Sequence, residues 1–386
     1  MAKQRNIFEE VGGSRTTSAP RPTGGMIEQA PQGSRLMVRA WMMAMFVLVL
    51  AMILIGGATR LTDSGLSITE WRPLTGALPP MDAAAWAAEF DRYRQIPQYQ
   101  LVNSGMSLDE FKAIYWWEWG HRQLGRVIGL VWAIGFIGLL ATRRIPRGWV
   151  PRLLLLGCLG GLQGAIGWWM VSSGLGEGMI RVASYRLAVH LGLAFVILGL
   201  LGWYMLELGR SSADLIQARR AREPRLFSMS TGVMHLAFVQ ILLGALVAGI
   251  DAGRAFPTWP DMNGEFFPSN ALYVPDGGAV WRAFFENEGL VQFMHRMVGY
   301  LLLVFGLVTW WKSRRSPHLA TRQAFDWMAV MLFGQLVLGI GTVLTGAHLH
   351  VALTHQLGAV ILWVMILRAR FMAQYPLAGS IRKGTA

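Results

Sequence analysis

Residues 107–144 read SLDEFKAIYWWEWGHRQLGRVIGLVWAIGFIGLLATRR. Ser107 and Glu110 stand three apart ahead of an apolar run, the spacing of a helix capping box. From Leu108 the chain can stay helical to Ala141, where two arginines follow. At 1.5 Å per residue that helix measures ~51 Å, whereas a hydrocarbon core is ~30 Å thick. The stretch therefore predicts a membrane span near 116–141 whose N-terminal end projects from the bilayer.

Seven more runs of similar length surround it, giving spans near 38–59, 116–141, 152–172, 183–206, 228–250, 291–311, 326–346 and 352–372. Over all 386 residues, 53% are hydrophobic and 15% charged, where soluble domains carry about 25% charged residues. These numbers predict an all-α membrane protein of eight transmembrane helices and exclude soluble enzymes. A single cysteine, Cys158, excludes an internal disulfide and reads as a small apolar residue of the core.

The net charge of +13 follows the membrane topology. Of the Lys and Arg residues, 23 fall in one set of loops and tails and 8 in the opposite set, the rest (Arg122, Arg126, Arg186, Arg296) lying in spans. By the positive-inside rule both termini are cytoplasmic. No nucleic-acid partner is then needed to explain the charge, and the partner implied is the lipid bilayer. Residues 1–35 read as a disordered cytoplasmic tail, 207–226 as a cytoplasmic linker and 373–386 as a second tail. In the long outer loop, Trp86, Phe90 and Tyr93 recur at helical spacing, a short amphipathic helix suited to the membrane surface.

The two halves echo each other. Asp63-x-Gly65, Trp71 and Gly76 recur at identical spacing as Asp251-x-Gly253, Trp259 and Gly264. His121-Arg122-x-x-Gly125 matches His295-Arg296-x-x-Gly299, and His190 parallels His355. Three matches in the same order predict two pseudo-symmetric four-helix bundles, residues 36–206 and 227–372, repeated in parallel orientation.

Even-numbered spans all run inward from the outer face, so His121, His190, His295 and His355 lie near the outer ends of their helices. Each half offers two imidazoles on different helices, which suits the two axial ligands of an iron in a flat macrocycle. Gly125, Gly129 and Gly299 leave room for such a ring, although glycines at this spacing also serve helix packing. Arg122, Arg126 and Arg296 are candidates to hold propionates. His235 enters from the cytoplasmic end, His318 lies in a cytoplasmic loop, and His348 and His350 sit in an outer turn.

Glu118 precedes His121 by three residues and shares its face. Its counterpart before His295 is Gln292. An ionisable group in a span points to function; the alternative is a carboxylate paired with a nearby Arg. A di-iron Glu-x-x-His site would need a second copy and further Glu residues, which are lacking. The half with the acid is the candidate for chemistry, and the other for passing electrons.

At these residues the chain resembles the heme A synthase family of alphaproteobacterial and mitochondrial type. The resemblance rests on Gly56-Gly57-Ala-Thr-Arg60-Leu-Thr-Asp-Ser-Gly65, Trp71-Arg-Pro73, Pro79-Pro80 and Glu118-Trp-Gly-His121-Arg122. It continues in Gly249-Ile-Asp251-Ala-Gly253, Thr258-Trp-Pro260, Gln292-Phe-Met-His295-Arg296 and Thr354-His355-Gln356, covering roughly 36–372. It implies oxidation of the C8 methyl of heme O to a formyl group, giving the heme A of cytochrome c oxidase. Two hydroxylations would yield a geminal diol that loses water. By resemblance, His121 and His190 hold substrate heme O with Glu118 as the catalytic residue, while His295 and His355 hold a permanent heme b. Arg60, Arg122, Arg126 and Arg296 would be propionate contacts. The resemblance also implies delivery of heme O by heme O synthase, an electron partner it does not name, and a bacterial inner membrane (mitochondrial inner membrane in a eukaryote). A homo-oligomer is compatible with it. Some family members carry reactive cysteine pairs in outer loops; this chain has none. The rival readings are an electron-carrying bis-histidine cytochrome b, which explains the four histidines but not the Glu118–Gln292 asymmetry, and a heme carrier or transporter.

Overall fold

The computed structural model describes residues 32–176, 178–274 and 277–377. Thirteen α-helices are formed among them and no strand beyond one isolated bridge, Met262 to Glu265. They are α1 (Gln32–Leu61), α2 (Ala83–Arg94), α3 (Pro97–Leu101), α4 (Leu108–Ala141), α5 (Val150–Gly174), α6 (Ser184–Leu208) and α7 (Ser212–Arg220). Then follow α8 (Pro224–Gly249), α9 (Ala252–Ala255), α10 (Ala283–Glu286), α11 (Glu288–Ser313), α12 (Leu319–Leu344) and α13 (Leu349–Gln374). Eight of these, α1, α4, α5, α6, α8, α11, α12 and α13, are long and apolar enough to cross a membrane. They coincide with the eight spans expected from the sequence.

The expected tails 1–35 and 373–386 fall mostly outside the described residues. Where they are described the chain is largely helical: α1 starts at Gln32 and α13 runs to Gln374, with residues 375–377 irregular. The 207–226 linker is also not extended, because Ser211 caps α7 by accepting from the Asp214 N–H at 3.0 Å.

Helix α4 begins where its sequence says it should. The Ser107 hydroxyl accepts from the Glu110 N–H at 3.3 Å and the Glu110 carboxylate accepts from the Ser107 N–H at 2.8 Å. Its projecting turns are covered by α2, whose Trp86 ring meets Tyr115 at 5.0 Å and whose Phe90 meets Phe111 at 5.0 Å. The apolar face of α2 is thus spent on protein, and the expected membrane-surface role is corrected. Tyr93, buried in the same cluster, donates to Gln98 and accepts from Asn103. Burial pushes its hydroxyl up to about 12, so it stays protonated and can keep donating.

Spans α1, α4, α5 and α6 pack in sequence, with α6 returning to α1; α8, α11, α12 and α13 do the same, with α13 returning to α8. The two groups meet through α1 and α6 on one side and α8 and α13 on the other. Outward residues of the peripheral helices are apolar and exposed, among them Leu130, Ile134 and Ile137 on α4 and Phe333 and Val337 on α12. That is a lipid-facing surface. Cys158 is exposed on α5 too, which corrects its expected place in the core.

One packing device recurs. A helix carbonyl already accepts from the N–H four residues on, and the side chain at that fourth position shields its second lone pair. Glycine there uncovers it. Trp41 donates its indole N–H to the Val131 carbonyl beside Gly135, Trp132 to Leu153 beside Gly157, and Trp363 to Phe195 beside Gly199. Gln356 on α13 reaches the Ile53 carbonyl at 2.8 Å in the same way, in a space that only Gly57 leaves open. Interhelical hydrogen bonds in membranes average about 0.6 kcal/mol, so their larger effect is to fix helix register.

Candidate functional site

Each of the four repeat histidines lies against a glycine of the preceding span. A Cβ added to Gly56 on α1 would stand 3.3 Å from Nε2 of His121 on α4. At Gly167 on α5 it would meet Cε1 of His190 at 2.9 Å, at Gly244 on α8 that of His295 at 3.1 Å, and at Gly339 on α12 that of His355 at 3.2 Å. Any larger residue would push the ring away. His121 and His190 lie within electrostatic reach of each other, as do His295 and His355. The structure thus seats all four histidines in matching glycine cradles, two within each group of four spans.

The donor set fits a heme. Each pair supplies two neutral-nitrogen ligands from separate helices, and the rings rest in cradles that a Cβ would fill. The Nδ1 atoms of His295 and His355 are buried without a hydrogen-bond partner. One reading from the sequence is corrected, however. Gly299 does not leave its space to a macrocycle: the Gln240 amide nitrogen would lie 3.1 Å from a Cβ there. Gly125 is likewise faced by the Met52 methyl, whereas Gly129 opens on free space.

Three glutamines were not recognised in the sequence as site residues. Gln163 donates to the backbone carbonyl of His190 at 3.0 Å, Gln240 to that of His295 at 3.0 Å, and Gln335 to that of His355 at 2.7 Å. Each precedes the cradle glycine by four residues: Gln163 and Gly167, Gln240 and Gly244, Gln335 and Gly339. This Gln-x-x-x-Gly spacing was legible without coordinates.

Glu118 is buried, with 2% of its surface exposed. One carboxylate oxygen accepts from the Ser67 hydroxyl and the Ile68 N–H, each at 2.8 Å. The other accepts from Arg122 Nε at 3.0 Å and from its terminal nitrogen at 2.6 Å. Arg122 also donates to the carbonyls of Ile68 and Glu70. The pair latches the loop after α1 onto α4. In the other half Gln292 donates to the carbonyls of Ala252 and Phe256 and accepts from Arg296 at 3.1 Å. Arg296 further donates to Asp261, Phe256 and Thr258 carbonyls. The second latch works with an amide, so latching alone does not call for a carboxylate.

The remaining arginines are engaged as well. Arg126 donates to the carbonyls of Pro73 and Arg72. Arg60 pairs with Asp63 at 2.8 Å and crosses to Asp251 at 3.1 Å, where Arg181 also binds. Here the four expected propionate contacts hold the loops after α1 and α8 and the junction between the halves. A cleft of about 350 Å³ opens beside Arg122 and Arg126 alone of these, lined also by Glu70, Arg72 and Tyr115. Of the other histidines, His318 is buried at the start of α12, and His348 and His350 face each other at 5.5 Å where α13 begins.

Residues 39–367 match the family model described as cytochrome oxidase assembly protein. The chain is 62% identical over 389 residues to a heme A synthase of Cereibacter sphaeroides (strain ATCC 17029 / ATH 2.4.9), covering 99% of both chains. It is 62% identical over 379 residues to that of Paracoccus denitrificans (strain Pd 1222), covering 98% of both. With the heme A synthase of Dinoroseobacter shibae it shares 61% identity over the whole of both chains.

Proposed function

The chain belongs to the cytochrome oxidase assembly protein family, and on that premise we propose that it is an oxidoreductase converting heme O to heme A. The observation that carries this reading is the pairing of four cradled histidines with one buried acid, Glu118, in one half only. His121 and His190 hold substrate heme O in the α1–α6 unit, and His295 and His355 hold a resident heme b in the α8–α13 unit. When bound, heme b supplies one-electron redox chemistry between the substrate side and an external partner. His295 and His355 orient that group, and the apolar helix faces around them exclude bulk water.

Conversion of a methyl to a formyl group removes four electrons, through an alcohol and a geminal diol that dehydrates. Positive charge grows on the methyl carbon as it is oxidised. Glu118, held near the outer end of α4, stabilises that charge or accepts the proton of the incoming water. Ser67, the Ile68 N–H and Arg122 fix the carboxylate beforehand, so no reorganisation is needed at the moment of reaction. Heme O arrives through the bilayer from the enzyme that makes it.

Pigment extraction tests this reading. Purified protein should release heme b together with heme O or heme A, identified by mass. Release of heme b alone, with no heme A made in membranes supplied with heme O, would identify an electron-carrying cytochrome instead.

The multi-pass chain lies in the cytoplasmic membrane with both termini inside, as the 23-to-8 division of basic residues supports. Phosphatase fusions in the 60–115 loop should be active and fusions in 207–226 inactive. The reverse pattern would refute the orientation and move the histidines to the cytoplasmic side.

A further inference from the structure

We infer that Gln163, Gln240 and Gln335 are positioning residues that lock three of the four histidines to their neighbouring helices. His121, which packs against α1 without such a lock, is then the releasable ligand through which substrate heme enters and product leaves. This rests on the proposed assignment of the histidines as heme ligands.

One bond recurs at three corners, and Gln163 and Gln240 also come within hydrogen-bond distance of ring nitrogens of His190 and His295. A glutamine on the preceding span donates its amide N–H to the main-chain carbonyl of the histidine, and four residues later a glycine seats the imidazole. The helix carrying the ligand is thereby tied at the ligand's own residue. At the fourth corner the cradle is kept, since Gly56 faces His121. Four residues before Gly56 stands Met52, an apolar side chain with no N–H to give.

The acceptor side of the missing lock is nevertheless prepared. Gly125 follows His121 by four residues, as Gly299 follows His295, and glycines so placed uncover the carbonyls that Trp41, Trp132 and Trp363 reach, while the locked carbonyls of His190 and His355 are followed instead by Ala194 and Ala359. The Met52 methyl would lie 3.5 Å from a Cβ at Gly125, the place Gln240 fills against Gly299. Methionine and glutamine differ little in length and volume. The fourth corner therefore lacks the amide donor that the other three carry, and its histidine turns Nε2 rather than Cε1 toward the cradle glycine.

The difference falls where function can use it. A resident heme benefits from two held ligands, and both histidines of the α8–α13 unit are held. A substrate must be gripped and then let go. In the α1–α6 unit His190 is held by Gln163 and His121 is not. Outer-shell partners of metal ligands commonly alter metal affinity by about 10- to 100-fold, which is enough to separate a permanent site from an exchanging one.

The test exchanges the two side chains, each into a setting where the other occurs naturally. Purified Gln240→Met and Gln335→Met proteins should lose heme b to excess apomyoglobin about 10- to 100-fold faster than wild type, with a larger fraction of reduced heme b open to carbon monoxide. Met52→Gln should do the opposite in the other unit, retaining heme O or heme A about 10-fold longer with heme b unchanged. Wild-type transfer rates in all three variants would overturn the inference, as would Met52→Gln speeding release. His295→Ala, run alongside, separates the two levels: if it too keeps heme b at the wild-type rate, the ligand assignment itself fails.

Discussion

Glu118→Gln lowers the heme A formed per bound heme b by at least ~100-fold, the range a positioned acid or base commonly contributes. The protein still folds and keeps its hemes. The second half shows why it tolerates the amide: Gln292 completes the equivalent latch, taking one bond from Arg296 and giving two to loop carbonyls. At position 118 the fit is less good. An amide cannot accept from Arg122 and from the Ile68 N–H with the same completeness as a carboxylate. One donor then faces another at a cost of about 1–3 kcal/mol, which loosens the 67–70 loop without unfolding the helices. Heme O or the alcohol should accumulate. A purely structural ion pair predicts the contrary, low yield and heme loss with near-normal turnover in each surviving molecule. Heme A per bound heme b, measured by mass on extracted pigment, separates the two.

His355→Ala removes the six-coordinate b-type spectrum altogether. Its ring leaves the Gly339 cradle, and His295 is left as a single imidazole facing an iron that needs two. The remaining heme is five-coordinate or absent, binds carbon monoxide, and no longer passes electrons. Pigment at His121 and His190 is retained, because none of the groups cradling or locking those residues is touched. Protein that kept a full complement of six-coordinate heme b would show that the α8–α13 unit does not hold it through His355.

The spans, the Ser107 cap and the recurrence of the four histidines were legible in sequence because each is written in local spacing. Twenty apolar residues, a serine three before a glutamate, and a histidine repeated at the same place in two halves need no partner to be read. What escaped depends on the neighbouring helix. Gly299 reads as free space for a ring until Gln240 is seen to fill it. The face of α2 reads as membrane-seeking until Phe111 and Tyr115 cover it. Arg122 also bonds to Glu118 and to the loop carbonyls folded over α4, which its sequence neighbours do not show. The Gln-x-x-x-Gly spacing is a different case. It is visible along the chain, but its meaning lies in a hydrogen bond to a backbone carbonyl on another helix.

The division of labour between the two units is tested most directly by the pigment of purified His190→Ala protein made in cells supplied with heme O. One ligand of the α1–α6 unit is removed, and the α8–α13 pair is untouched. The extract should contain heme b at the wild-type ratio to protein and neither heme O nor heme A. Loss of heme b with heme O or heme A retained would contradict the assignment.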